Sequence, residues 1–129
     1  MIDQIENLCR SVLREGSVDG SDLEGRNWPA DAETMIGRKR LDNFVQCIKT
    51  VVEEGVPGDI IETGVWRGGA CIVARGVLDA MDDYTRKVFV ADSFQGLPPP
   101  DARYPADRGD KHFMFPQLAI SLETVKANF

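Results

Sequence analysis

The stretch Asp59–Gly69, Asp-Ile-Ile-Glu-Thr-Gly-Val-Trp-Arg-Gly-Gly, limits what this chain can fold into more than any other part of it. Ile60 and Ile61 follow Pro57-Gly58 and read as the core of a short buried strand. Glycines come next, and Ala70–Met81 then carries the apolar spacing of a helix. A strand that runs through glycines into a helix is how an open α/β sheet forms a crevice at its strand ends. Glycine lets backbone approach a ligand closely, and a helix start offers unpaired N–H groups. The stretch is therefore the expected binding site.

The neighbouring segments supply the rest of such a sheet. Lys87–Ala91 reads as a second strand with Asp92 at its C-terminal end. A strand, helix and strand with a crossover of this length implies parallel pairing in a right-handed unit. Before it, Met1–Glu15 reads as an amphipathic helix closed by Gly16, and Ser17–Glu33 as a long loop, either a lid or a packed connector plugged by Trp28. Thr34 is placed to cap a helix with the stripe Leu41, Phe44, Val45, Ile48, Val51 and Val52, which Gly55 stops. Asp82-Asp83-Tyr84 reads as a solvated helix end. Phe94–Pro116 holds five of the seven prolines and is expected to be irregular. Ser121 then caps a helix over Leu122–Phe129.

Composition narrows the function. With 129 residues the chain makes one domain at most, and a formal charge of −6 with pI near 4.7 argues against a nucleic-acid surface. Arg38-Lys39-Arg40 is too short to reverse that and reads as a solvated helix face. No apolar run is long enough to span a bilayer, and Met1–Glu6 lacks the pattern of a signal peptide. No membrane partner is expected, and a cytoplasmic location is. Cys9, Cys47 and Cys71 lie far apart and read as small buried hydrophobes.

The crevice chemistry points to a ligand without phosphate. Gly64-x-x-x-Gly68-Gly69 is not the Gly-x-Gly-x-x-Gly of a dinucleotide site, and Glu62, just ahead of the first glycine, would repel phosphate. Asp92 stands where acidic residues of nucleotide-binding sheets accept ribose hydroxyls. An acid, a glycine turn and a ribose-reading carboxylate together suit S-adenosylmethionine, with its ammonium, sulfonium and ribose. Asp107, Asp110 and His112 lie in the second loop among Arg108 and Lys111 and read as solvated rather than as metal ligands.

Four segments carry a resemblance to a known family: Thr34–Arg38, Asp59–Gly69, Ala91-Asp92-Ser93-Phe94-Gln95-Gly96-Leu97-Pro98, and Ser121–Phe129. Together they closely resemble the macrocin O-methyltransferase (TylF/MycF) family from about Trp28 onward. The resemblance implies the N-terminal part of a Rossmann-like class I methyltransferase fold, with residues 1–33 as N-terminal helix and lid loop and 34–129 as the first half of the methyltransferase domain, truncated at its C-terminus. It implies S-adenosylmethionine-dependent methylation of a sugar hydroxyl on a small glycosylated natural product, with self-association left open. Glu62, Thr63, Gly64 and Val65 would serve the methionine end of the cofactor, Asp92 its ribose, and Ser93 and Ser121 the adenosine surroundings. Thr34 and Met35 would lie over it. A divalent metal, magnesium, is implied for the full-length family, with ligands and base outside this chain, so the fragment alone is expected to be inactive. A nicotinamide-dependent reductase and a non-catalytic interaction module are the alternatives from other classes.

Overall fold

The computed structural model describes residues 2–14 and 21–129. Its elements are α1 (Ile2–Leu13), α2 (Ser21–Glu24), α3 (Arg38–Glu53), β1 (Ile60–Thr63), α4 (Gly69–Ala80), β2 (Val88–Ala91) and α5 (Leu122–Asn128). β1 and β2 pair in parallel, with Ile60 opposite Val88 and Thr63 opposite Ala91. The expected strand–helix–strand unit is therefore present. The expected Gly16 stop lies outside the described residues.

One face of the strand pair is covered. Val73, Val77 and Leu78 of α4 are fully buried, with Ile5, Cys9, Val12 and Leu13 of α1 and Leu41, Val45 and Ile48 of α3 in the same core. Ile60 and Val88 pack against this cluster from the sheet. The broad apolar surface of α4 is thus shared between α1 and α3 as well as the strands. The other face differs from the expected buried strand: Ile61 is 62% exposed and its neighbour Phe89 48%. Side chains alternate along a strand, and no described element covers the face on which these two stand. An apolar run tells that a strand has two oily faces, not that both are covered.

Local chemistry explains the helix boundaries. α3 begins at Gly37, not at Thr34. Gly37 takes φ 78°, and a Cβ on it would lie 2.3 Å from the Gly25 nitrogen, so two glycines pack back to back there. Thr34 is instead buried in the strap leading to α3. At the other end the Gly55 and Val56 N–H groups close onto the carbonyls of Val52 and Val51, a glycine-terminated helix stop. Ser121 Oγ accepts the Thr124 N–H at 3.1 Å and caps α5 as expected.

Three more expectations change. Arg38 is not a solvated side chain; it pairs with Glu6 of α1 and, at 2.6 Å, with Asp42, while Lys39 pairs with Glu24 of α2. Cys47 is exposed, because it falls off the Leu41–Val45–Ile48 stripe, whereas Cys9 and Cys71 are buried. Neither long loop is wholly irregular. α2 forms within the first, and the second contains 3-10 turns at Pro105–Asp107, His112–Met114 and Pro116–Leu118, two of them started by a proline whose fixed φ suits a helical turn. No described helix is long and apolar enough to cross a membrane.

Candidate active site

The C-terminal ends of β1 and β2 open onto a cavity of about 620 Å³. The Gly64 N–H bonds the Ala91 carbonyl at 2.8 Å, extending the ladder by one residue beyond β1. Gly64 then turns with φ 83°, and a Cβ built on it would meet nothing within 4 Å, so the space beside it belongs to the cavity. The next glycines behave differently. A Cβ on Gly69 would sit 2.6 Å from the Glu33 carbonyl, and one on Gly68 2.9 Å from the Phe129 ring. Gly64 leaves room for a ligand; Gly68 and Gly69 leave room for the chain.

Asp92 follows β2 directly and faces the cavity. Its Oδ2 accepts the Val65 N–H and its Oδ1 the Phe94 N–H, each at 2.8 Å. The carboxylate therefore joins the two strand-end turns while its remaining lone pairs stay available. Ser93 donates to the Gly96 carbonyl at 3.1 Å and accepts the Gln95 N–H, shaping the turn that forms one wall.

Of the residues expected at the site, Met35, Gly64, Asp92 and Ser93 line the cavity together. Val65 is buried beside it and takes part through its N–H. Thr34 is buried, Thr63 is exposed, and Ser121 caps α5, all outside the lining. Glu62 is outside the lining too: it is half-buried, with Oε2 accepting the Cys71 thiol at 2.9 Å against the first turn of α4. Burial raises its pKa above the ordinary carboxylate value, the negative charge of Asp92 adds to that, and the Cys71 hydrogen bond opposes it. Burial and then Glu62 push the Cys71 thiol up in turn.

Sequence reasoning missed Trp66, Leu97, Pro98 and Leu118 on the cavity wall. Trp66, Leu97 and Pro98 lie inside the motif segments, so their nearness to glycine turns was a usable signal. Leu118 comes from a segment distant in sequence and offered none. Asp110 pairs with His112 on the surface, and among the described residues no group of three or more His, Cys, Asp or Glu side chains could hold a metal ion.

Comparison with known proteins identifies a family and a fold. The family described as macrocin-O-methyltransferase (TylF) matches residues 1–129. Demethyldecarbamoylnovobiocin O-methyltransferase of Streptomyces niveus is 54% identical over 110 residues, covering 82% of this chain and 41% of its own length. An 8-demethyl-8-(2,3-dimethoxy-alpha-L-rhamnosyl)-tetracenomycin-C 4'-O-methyltransferase of Streptomyces olivaceus is 52% identical over 83% of this chain and 42% of its own. Mycinamicin III 3''-O-methyltransferase of Micromonospora griseorubida is 50% identical over 92% and 48%. The chain thus spans less than half the length of these relatives. The solved O-methyltransferase NovP superposes with a TM-score of 0.89 at 44% identity, over 96% of this chain and 56% of that one. The two strands and their helices are accordingly the N-terminal part of a Rossmann-like methyltransferase fold.

Proposed function

The chain belongs to the macrocin-O-methyltransferase (TylF) family, and on that premise we propose that the cavity at Gly64 and Asp92 binds S-adenosylmethionine for methylation of a sugar hydroxyl on a glycosylated natural product. The observation that carries the reading is the pairing of an open glycine turn with a fixed carboxylate on one cavity wall at the strand ends. A cavity of about 620 Å³ is in the range of small-molecule sites.

The bound cofactor would supply a methyl group on an activated sulfonium, so the protein's part is binding, orientation and exclusion of water. Gly64 gives the ligand backbone contact without a side chain in the way. Asp92 offers its spare lone pairs to a ribose diol, and the amides of Val65 and Phe94 hold it still for that purpose. Glu62 and Asp92 make the strand ends electronegative, which favours a cationic ligand over a phosphate. Trp66, Leu97, Pro98 and Leu118 supply apolar wall.

The acceptors named for the relatives are glycosylated antibiotics or their precursors, and an acceptor of that kind is the one proposed here. The proposal assigns cofactor binding to this chain and the complete transfer to the whole protein, with the lone 129-residue chain expected to turn over no acceptor. Among the described residues no group of three or more His, Cys, Asp or Glu side chains could hold the divalent ion that the resemblance implies. A nicotinamide-dependent reductase is set aside by the family. Calorimetric titration with S-adenosylhomocysteine tests the reading: saturable binding with none for NADH is expected, and the reverse would overturn it.

A further inference from the structure

We propose that Trp66 and Arg67 are positioning residues that set two walls of the cofactor cavity by gripping one loop each, an inference that rests on reading this cavity as the S-adenosylmethionine site. The two side chains, adjacent in sequence, reach two different segments. Arg67 Nη1 donates to the carbonyl of Ala32 at 3.0 Å and to that of Ala30, in the strap that runs on to Met35. The Trp66 indole N–H donates to the Gln117 carbonyl at 2.7 Å, one residue before Leu118. Met35 and Leu118 are both on the cavity wall, and so is Trp66 itself.

The dipeptide is held as a unit. The Arg67 guanidinium lies over the Trp66 ring, 4.4 Å from its centre, and the Asn128 side-chain amide donates to the Arg67 carbonyl at 2.9 Å. Trp66 takes φ 50°, a left-handed conformation that a bulky residue keeps only where its surroundings hold it. The gripped segments also meet each other: Trp28 of the first loop stands edge-on to Phe115 of the second, ring centres 5.5 Å apart. One nitrogen, Arg67 Nη1, serves the strap carbonyls, so the grip on this loop rests on a single end of the side chain. The residues next to the ligand turn thereby tie down two segments that line the cavity.

Trp66→Phe keeps an aromatic ring and removes the N–H; Arg67→Met keeps an unbranched side chain and removes the donors. Both are to be compared with the full parent chain by segment-resolved hydrogen exchange and by calorimetry with S-adenosylhomocysteine. Trp66→Phe should speed exchange around Leu118 and leave the strap before Met35 unchanged; Arg67→Met should do the opposite. Each should weaken binding about fivefold, the loss of roughly one hydrogen bond, with exchange in α3 and α4 unaltered. Exchange that rises throughout, α3 and α4 included, would show a general structural role and overturn the proposal. So would parent-like exchange and affinity in both variants. Should one variant fail to fold, the other decides by the same readouts. A parent that binds no S-adenosylhomocysteine would strike at the cofactor reading instead, and the segment-selective exchange would still test the two grips.

Discussion

At the N-terminal ends of the two strands, Asp59 accepts the Lys87 N–H at 2.9 Å, and Asp83 takes the Thr85 hydroxyl and N–H, the Arg86 N–H and the Arg86 Nε. Arg86 goes on to donate to the carbonyls of Gly58 and Val56, so the turn before β2 is sewn to the turn before β1. At the C-terminal ends Asp92 likewise bridges two turns through backbone amides. The materials are alike, an aspartate and nearby N–H groups. The difference is what remains over. Asp83 and Arg86 are each only 13% exposed and spend themselves on the chain, whereas Asp92 faces a cavity beside a glycine with free space. Carboxylates at strand ends become a site only where the fold leaves a crevice, and in open α/β sheets that is the carboxyl end.

Substitutions at the two ends should therefore separate binding from stability. The largest effect is expected from Gly64→Val. Its side chain would enter the cavity from a backbone with φ 83°, which disfavours any β-branched residue. Affinity for S-adenosylhomocysteine in calorimetry should fall by about a hundredfold or more, roughly 3 kcal/mol, while the protein stays folded by circular dichroism.

Arg86→Ala should give the converse. Stranding the Val56 and Gly58 carbonyls costs roughly 2 kcal/mol of stability, read as a lower midpoint in urea. Affinity at a temperature where the variant is folded should match the parent. A loss of affinity comparable with that of Gly64→Val would erase the distinction between the two ends.

The sequence made one end far more legible than the other. Gly64 and Asp92 stand at motif positions where a strand meets a turn, so periodicity and turn chemistry located both. The Asp83–Arg86 hub was invisible, because it depends on bringing residues 56–58 beside residues 83–86, and Asp82-Asp83 read only as a solvated helix end. Helices α3 and α4 followed from their apolar stripes. The outward exposure of Ile61 and Phe89 did not, since a strand's sequence does not say what covers each face. Thr34 looked like a cap because its residue type suits one, yet the Gly25–Gly37 contact placed the helix start three residues later. The wall formed by Leu118 depends on the non-local Trp66 hydrogen bond.

A smaller effect is expected from Asp92→Ala, which sharpens the comparison because this residue has both duties. Loss of the Val65 and Phe94 acceptor and of the contact proposed for ribose should weaken cofactor binding by roughly 1–3 kcal/mol, with some loss of stability as well. A variant that loses stability but binds like the parent would make Asp92 the twin of Asp83.

The smallest effect is the pH dependence of the other end. The Thr85 hydroxyl, with the Thr85 and Arg86 N–H groups and the Arg86 guanidinium, holds the Asp83 pKa down at about 2, against an ordinary 3.8. A carboxylate whose folded pKa is depressed stabilises the fold above its unfolded value, and that contribution fades as pH falls from about 4 to about 2. Urea midpoints measured across this window should drop less in Asp83→Asn than in the parent. Equal slopes would remove Asp83 from the account.

The most direct test of where the site lies is a map of backbone amide shifts as S-adenosylhomocysteine is added to the isotopically labelled protein. The account predicts that shifts concentrate at Gly64–Trp66, Ala91–Ser93 and Gly96–Leu97, while Asp59, Arg86 and Lys87 stay unmoved. Shifts confined to the N-terminal strand ends or to the exposed Ile61–Phe89 face, with Gly64 and Asp92 silent, would contradict it.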